Sequence, residues 1–177
     1  VGRIKQNWIA ELNKHYASHV GHISKYIPPI LESDRQAYLV DTGALKLDIQ
    51  QQMNAPLPNG NTGEKTDKGV FCFVSQHQAG HCVYGHDVRP QGSGPLEVQF
   101  IVEVLNDDDG DQPIVNLEVY DNKSDELIRL EEIGTKDLTR EANTISIGFS
   151  ANPEQCLEFR VFWHGRCDIC VRDIKLK

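Results

Sequence analysis

The chain reads as a mainly β protein, an antiparallel two-sheet β-sandwich preceded by an N-terminal α-helix. Two observations predict this. From Val70 to Ile174 apolar residues recur at every second position, in short runs separated by turn residues, the period of strands with one buried face. Between Arg3 and Tyr26 the apolar spacing is three to four, as on one stripe of a helix. The pattern divides the chain into an amphipathic helix over 1–29, an irregular segment and linker over 30–68, and a β-sandwich binding domain over 69–177.

The helical stripe consists of Ile4, Trp8, Leu12, Tyr16, Val20 and Ile23. Pro28 and Pro29 end it, because proline lacks a backbone donor and restricts the residue before it. Such a stripe needs a partner surface, either the sandwich, a second copy or a linked enzyme domain. Within Gln36–Gln52 the residues allow a short strand at Ala37–Val40 or a helix beginning near Asp41. Pro56 to Lys65 is rich in turn formers and reads as a linker or long surface loop.

The strands follow. Val70–Val74 and Cys82–Tyr84 come first, then Leu96, Val98, Phe100, Val102 and Val104 in alternation. Val115, Leu117 and Val119 form the next run, followed by Ile145, Ile147 and Phe149. Leu157, Phe159, Val161 and Trp163 precede a last run of Ile169, Val171 and Ile174. About seven short strands of this kind bury their apolar faces by packing one sheet on another.

Composition narrows the function. A net charge of −8, with basic residues scattered among more numerous acids, disfavours nucleic acid and anionic membrane surfaces, which need clustered Lys and Arg. No apolar run reaches the length of a membrane span. The start, VGRIKQNWIAEL, lacks the apolar core of a signal peptide. Five cysteines are an odd number, and several sit where a strand buries a small apolar residue. Reduced thiols are therefore expected, with a cytoplasmic location.

Certain stretches carry a resemblance. Gly80–Gly85, Gly92–Val104, Leu117–Asp121 and Leu157–Gly165 resemble the jelly-roll, carbohydrate-binding-module-like domains appended to bacterial glycosyltransferases and methyltransferases of surface-polysaccharide synthesis. The resemblance covers about the last hundred residues and implies a non-catalytic sugar-binding domain working beside an enzyme.

If Leu157, Phe159, Val161 and Trp163 face the core, then Glu158, Arg160, Phe162 and His164 share the opposite face. Asn116, Glu118 and Tyr120 form a second outward row, and Gln99 and Glu103 a third. Planar donors and acceptors suit sugar hydroxyls, and an aromatic ring suits the apolar face of a pyranose. On this reading Arg160 and Glu158 bond hydroxyls, while Tyr120 or Phe162 stacks on the ring. Tyr84, His86 and Arg89 rim the sandwich on a Gly/Pro-bounded loop, where ligands are often met. The ordinary alternative is a solvated sheet face, with cross-strand pairs contributing little. A structural or oligomerisation module, meeting protein through the helix and the same sheet face, is the other functional reading.

Metal and catalytic motifs are thin. His15, His19 and His22 share a helical flank, beside the apolar stripe and without a fourth ligand. Cys167 and Cys170 have a two-residue gap, but strand rhythm sends their sulfurs to opposite faces. Zinc held by Cys72, Cys82, His77 and His81 is a further arrangement the residue types allow. Asp107, Asp109 and Asp111, with Glu118 beyond, have the offsets of a calcium loop. Gly110 is misplaced for it, and a hairpin turn accounts for these acids better. No motif of a nucleophile elbow, phosphate loop, dinucleotide fold or zinc protease occurs, and no cofactor is implied.

Overall fold

The computed structural model describes residues 44–106, 110 and 112–177. The helix expected over 1–29, its three histidines and the four acids Asp107, Asp108, Asp109 and Asp111 lie outside the described residues.

Among the described residues one α-helix, α1 (Ala44–Met53), is followed by nine strands: β1 (Glu64–Thr66), β2 (Gly69–Cys72), β3 (Gly80–Val83), β4 (Gly94–Val104), β5 (Pro113–Asp121), β6 (Glu126–Gly134), β7 (Asn143–Ala151), β8 (Leu157–Trp163) and β9 (Ile169–Leu176), with a 3-10 turn (Thr135–Asp137) between β6 and β7. They form a five-stranded sheet in the order β1-β2-β9-β4-β7 and a four-stranded sheet in the order β3-β8-β5-β6. Every paired neighbour is antiparallel.

The pairings show how the chain is wound. β2 pairs with β9, β3 with β8, β4 with β7 and β5 with β6. This is one long hairpin ribbon rolled on itself, and the β4–β9 and β5–β8 ladders then seal each sheet. Two four-stranded layers wound in this way are a jelly roll; β1 adds a fifth strand to one layer.

Alternation explains the core. Leu157, Phe159, Val161 and Trp163 of β8, with Val115, Leu117 and Val119 of β5, are fully buried against Val98, Phe100 and Val102 of β4 and Ile169 and Val171 of β9. Each large apolar side chain so buried contributes about 1.5–3 kcal/mol relative to exposure. The Trp163 indole N–H donates to Cys167 O at 2.8 Å, so the largest core ring leaves no polar atom unpaired.

The alternation is interrupted by bulges at Cys82 of β3 and Arg172 of β9, and two further strands lack it altogether. β6 is an edge strand, exposed along most of its length, with a register shift where Ile128 is inserted opposite Val119 and Tyr120. With little burial on either side, no period of two is imposed on its residues. β1 is an exposed three-residue edge strand. It lies in the stretch read as a linker, and Gly60 and Asn61 there donate to Cys82 O and His81 O at 3.0 and 2.8 Å. Residues 59–66 thus hydrogen-bond into both sheets.

The strand expected at Ala37–Val40 and the helix start expected near Asp41 lie outside the described residues; from Ala44 the chain is helical. Ile49 and Met53 enter the core, Gln50 Oε1 accepts from Leu176 N at 3.0 Å, and Gln52 clamps both backbone groups of Arg89. The helix thereby lies against β9.

Candidate functional site

The outer face of the four-stranded sheet gathers most of the polar and aromatic residues singled out from the sequence. The β5–β8 ladder runs without a register shift, pairing Asn116 with Phe162, Glu118 with Arg160 and Tyr120 with Glu158. An unbroken ladder keeps every second side chain on one side. β3 adds His81 opposite Phe162. β6 adds Glu132, Leu130 and Leu127 opposite Asn116, Glu118 and Tyr120. Gln99 and Glu103, on β4, belong to the other sheet, where Glu103 pairs with Arg172.

Arg160 is the centre of this face. Its guanidinium carbon lies 3.4 Å from the centroid of the Tyr120 ring and 4.5 Å from that of Tyr84, a cation held between two π faces. Arg160 Nε donates to Glu158 Oε2 at 2.7 Å. The pair is nearly buried, Glu158 at 4% and Arg160 at 7% exposure, whereas Tyr84 is 44% exposed. Arg160 and Glu158 therefore direct their polar groups at each other beneath the tyrosines. Rings, not this ion pair, present the outermost surface.

The tyrosines are anchored in turn. Tyr120 Oη donates to Asp125 of the β5–β6 turn, and that bond, with burial, raises the phenol above its ordinary range. The turn itself is built on Asp121. Its carboxylate accepts from Lys123 N at 3.1 Å, Ser124 Oγ at 2.7 Å and Cys156 N at 2.9 Å. Burial pushes this carboxyl up, but the hydrogen bonds outweigh it and hold it below its usual value.

A second cluster adjoins the first. His81 donates Nε2–H to Glu118 at 3.3 Å, and its ring meets Tyr84 and Phe162 edge-on, with centroids 5.4 and 5.1 Å apart. Phe162 meets His164 at 5.1 Å, and His164 donates Nε2–H to Asn116 Oδ1 at 2.8 Å. Burial, then the charge of Arg166, lowers the His164 imidazole below its ordinary range.

Of the eight residues proposed from the sequence, seven share this face: Tyr84, Glu118, Tyr120, Glu158, Arg160, Phe162 and His164. His86 stands apart. Its backbone is left-handed, with φ 63°, and Nε2–H donates to Ala55 O at 3.2 Å, leaving Nδ1 buried without a partner. The sequence does not single out Asp125, Leu127 and Leu130, and it offers His81 only as a zinc ligand. His81 and Tyr84 share the face only because β3 has a register shift at Cys82, which strict alternation along the sequence does not show.

The zinc arrangement does not form. Cys72 and Cys82 are in the core, His77 Nδ1 accepts from Phe73 N, and His81 points outward to Glu118. Among the described residues no group of three or more ligands could hold a metal ion. Cys167 joins the core, whereas Cys170 is buried outside it, on the side where its thiol reaches Lys68 O. Burial pushes the Cys170 thiol up to about 11. All five cysteines are buried and unpaired by disulfides.

No protein-family model and no curated protein matches the chain. Among solved structures it is similar to a carbohydrate binding module from Cellvibrio mixtus lichenase 5A in complex with cellotriose, at 11% identity and a TM-score of 0.37, covering 73% of this chain and 94% of that one. It is also similar to a xylan-binding module, at 12% identity and a TM-score of 0.33, covering 70% of this chain and 91% of that one. The assignment as a jelly roll stands on the strand pairing described above.

Proposed function

We propose that the protein is a non-catalytic carbohydrate-binding module whose ligand lies across the outer face of the four-stranded sheet. The observation that carries this reading is the Tyr84–Arg160–Tyr120 stack. Both rings are held by a buried cation, so a ligand meets a platform whose side chains are already ordered and loses less entropy on binding. Around the platform, the Glu118 carboxylate, the His81 and His164 imidazoles and the Asn116 amide offer acceptors and donors for hydroxyls. Glu158, in contrast, is committed to Arg160, an arrangement suited to support and not to proton transfer. A role beside a polysaccharide-synthesising or polysaccharide-modifying enzyme rests on the sequence resemblance.

A glycan array followed by calorimetry tests the reading. Tyr84→Ala and Tyr120→Ala are each expected to weaken binding about fivefold or more, in the range of about 1–3 kcal/mol per stacked ring. Binding unchanged by both substitutions would move the ligand to another surface.

A second reading has its own support. Leu127 and Leu130 on edge strand β6 are 46% and 40% exposed beside this face, as in a surface that meets protein. Array silence together with a dimer in light scattering that Leu130→Glu disperses would establish it.

A further inference from the structure

We infer that the sheet face selects glycans without acid groups, and that Glu118 is the residue that sets this selectivity. The inference rests on the glycan-binding reading above and adds the ligand class. It follows from the charges on the face. Arg160 is the one cation in the stack, and it is neutralised by Glu158 and covered by the two tyrosine rings. Its guanidinium is therefore not presented to a carboxylate or sulfate, which bind best to an open, bidentate arginine fork.

The remaining ionisable groups are mostly acidic. Glu118 lies at the middle of the face, opposite Arg160 on one side and Leu130 on the other. Glu132 projects on the same side from β6, and Asp125 closes the end beside Tyr120. Arg166 and Glu132 both act on the His164 imidazole, with opposite sign. Other nearby cations are engaged elsewhere. Lys123 pairs with Glu154, and Arg129 bonds Ile128 O and Gly148 O, towards β7. The whole chain, at −8, adds repulsion of the same sign.

Glu118 decides the outcome because its carboxylate is central and partly exposed, and among the described residues its polar contact is His81 at 3.3 Å. A sugar hydroxyl donates to such an acceptor. A sugar carboxylate brought to the same place meets a like charge in a partly desolvated setting, where the interaction is stronger than in water.

The test uses the full chain in calorimetric titrations with four probes. Cellohexaose and xylohexaose carry no acid; hexagalacturonate and a heparin hexasaccharide do. At low salt at least one acid-free probe is expected to bind about tenfold or more tighter than both acidic ones, a preference that shrinks at high salt because charges are screened over about one Debye length. In Glu118→Gln, which keeps the shape and an acceptor, the ratio of acid-free to acidic affinity should fall severalfold. Acidic probes binding as tightly as the neutral ones, with binding lost in Tyr84→Ala, would overturn the selectivity and leave the glycan reading intact. A ratio unchanged in Glu118→Gln overturns the role given to Glu118. Silence from all four probes overturns selectivity and glycan reading together.

Discussion

Arg160 shows how one side chain can organise a surface it does not dominate. Its charge is satisfied by Glu158 at 2.7 Å and by two π faces, and the pair is only 7% and 4% exposed. Removing one member of a buried pair leaves the other desolvated and unpartnered, which costs about 3–5 kcal/mol, whereas replacing both by apolar residues of similar volume is close to neutral. Arg160→Met is therefore expected to lower unfolding stability by about 3 kcal/mol in urea titrations. The double variant Glu158→Leu, Arg160→Met should recover most of that loss but not ligand binding. A double variant as unstable as the single one would show that the tyrosine packing, not the unpaired charge, sets the cost.

Among the local elements, the β5–β6 turn matters most to the site, because it holds Asp125 at the Tyr120 hydroxyl. Asp121 holds it through three hydrogen bonds, one of which reaches across to Cys156 just before β8. Asp121→Ala leaves the buried Cys156 N–H without its acceptor, at a cost of about 1–3 kcal/mol. The pH dependence has a definite sign. The carboxyl is held below its unfolded value, so its stabilisation is present above that value and is lost as pH falls through the folded one. Wild type and Asp121→Ala should therefore differ most near neutrality and converge on acidification below about pH 4. A constant gap across that range, measured by urea titration at each pH, would contradict the assignment.

Strands β2 to β9 form one rolled ribbon, so its opening and closing strands meet: Val70 of β2 lies opposite Val171 of β9. Helix α1 lies beside this closure, with Ile49 and Met53 in the core and Gln50 bonded to Leu176 N. Ile49→Ala is expected to cost about 2–5 kcal/mol, as for a fully buried aliphatic side chain. The urea midpoint should fall without a change of slope, which would mark α1 as part of one cooperative unit with the sandwich. A separate early transition in the wild type would instead make α1 an independent appendage.

By itself the sequence determined which face each regular strand turns to the core. Alternation along β5 and β8 placed Asn116, Glu118, Tyr120, Glu158, Arg160, Phe162 and His164 outward, and the ladder between those strands has no bulge to reverse the register. Burial on one side imposes that period, so it is written locally. β6 and β1 lie at sheet edges, mostly open to solvent, and carry no such signature. The tertiary structure alone decided which outward rows become neighbours. That Tyr84 reaches Arg160, that His81 meets Glu118, and that Glu103 goes to the other sheet all follow from strand order. Strand order is a matter of long-range pairing, and outward side chains, free of core packing, leave no periodic trace of the partners they will meet.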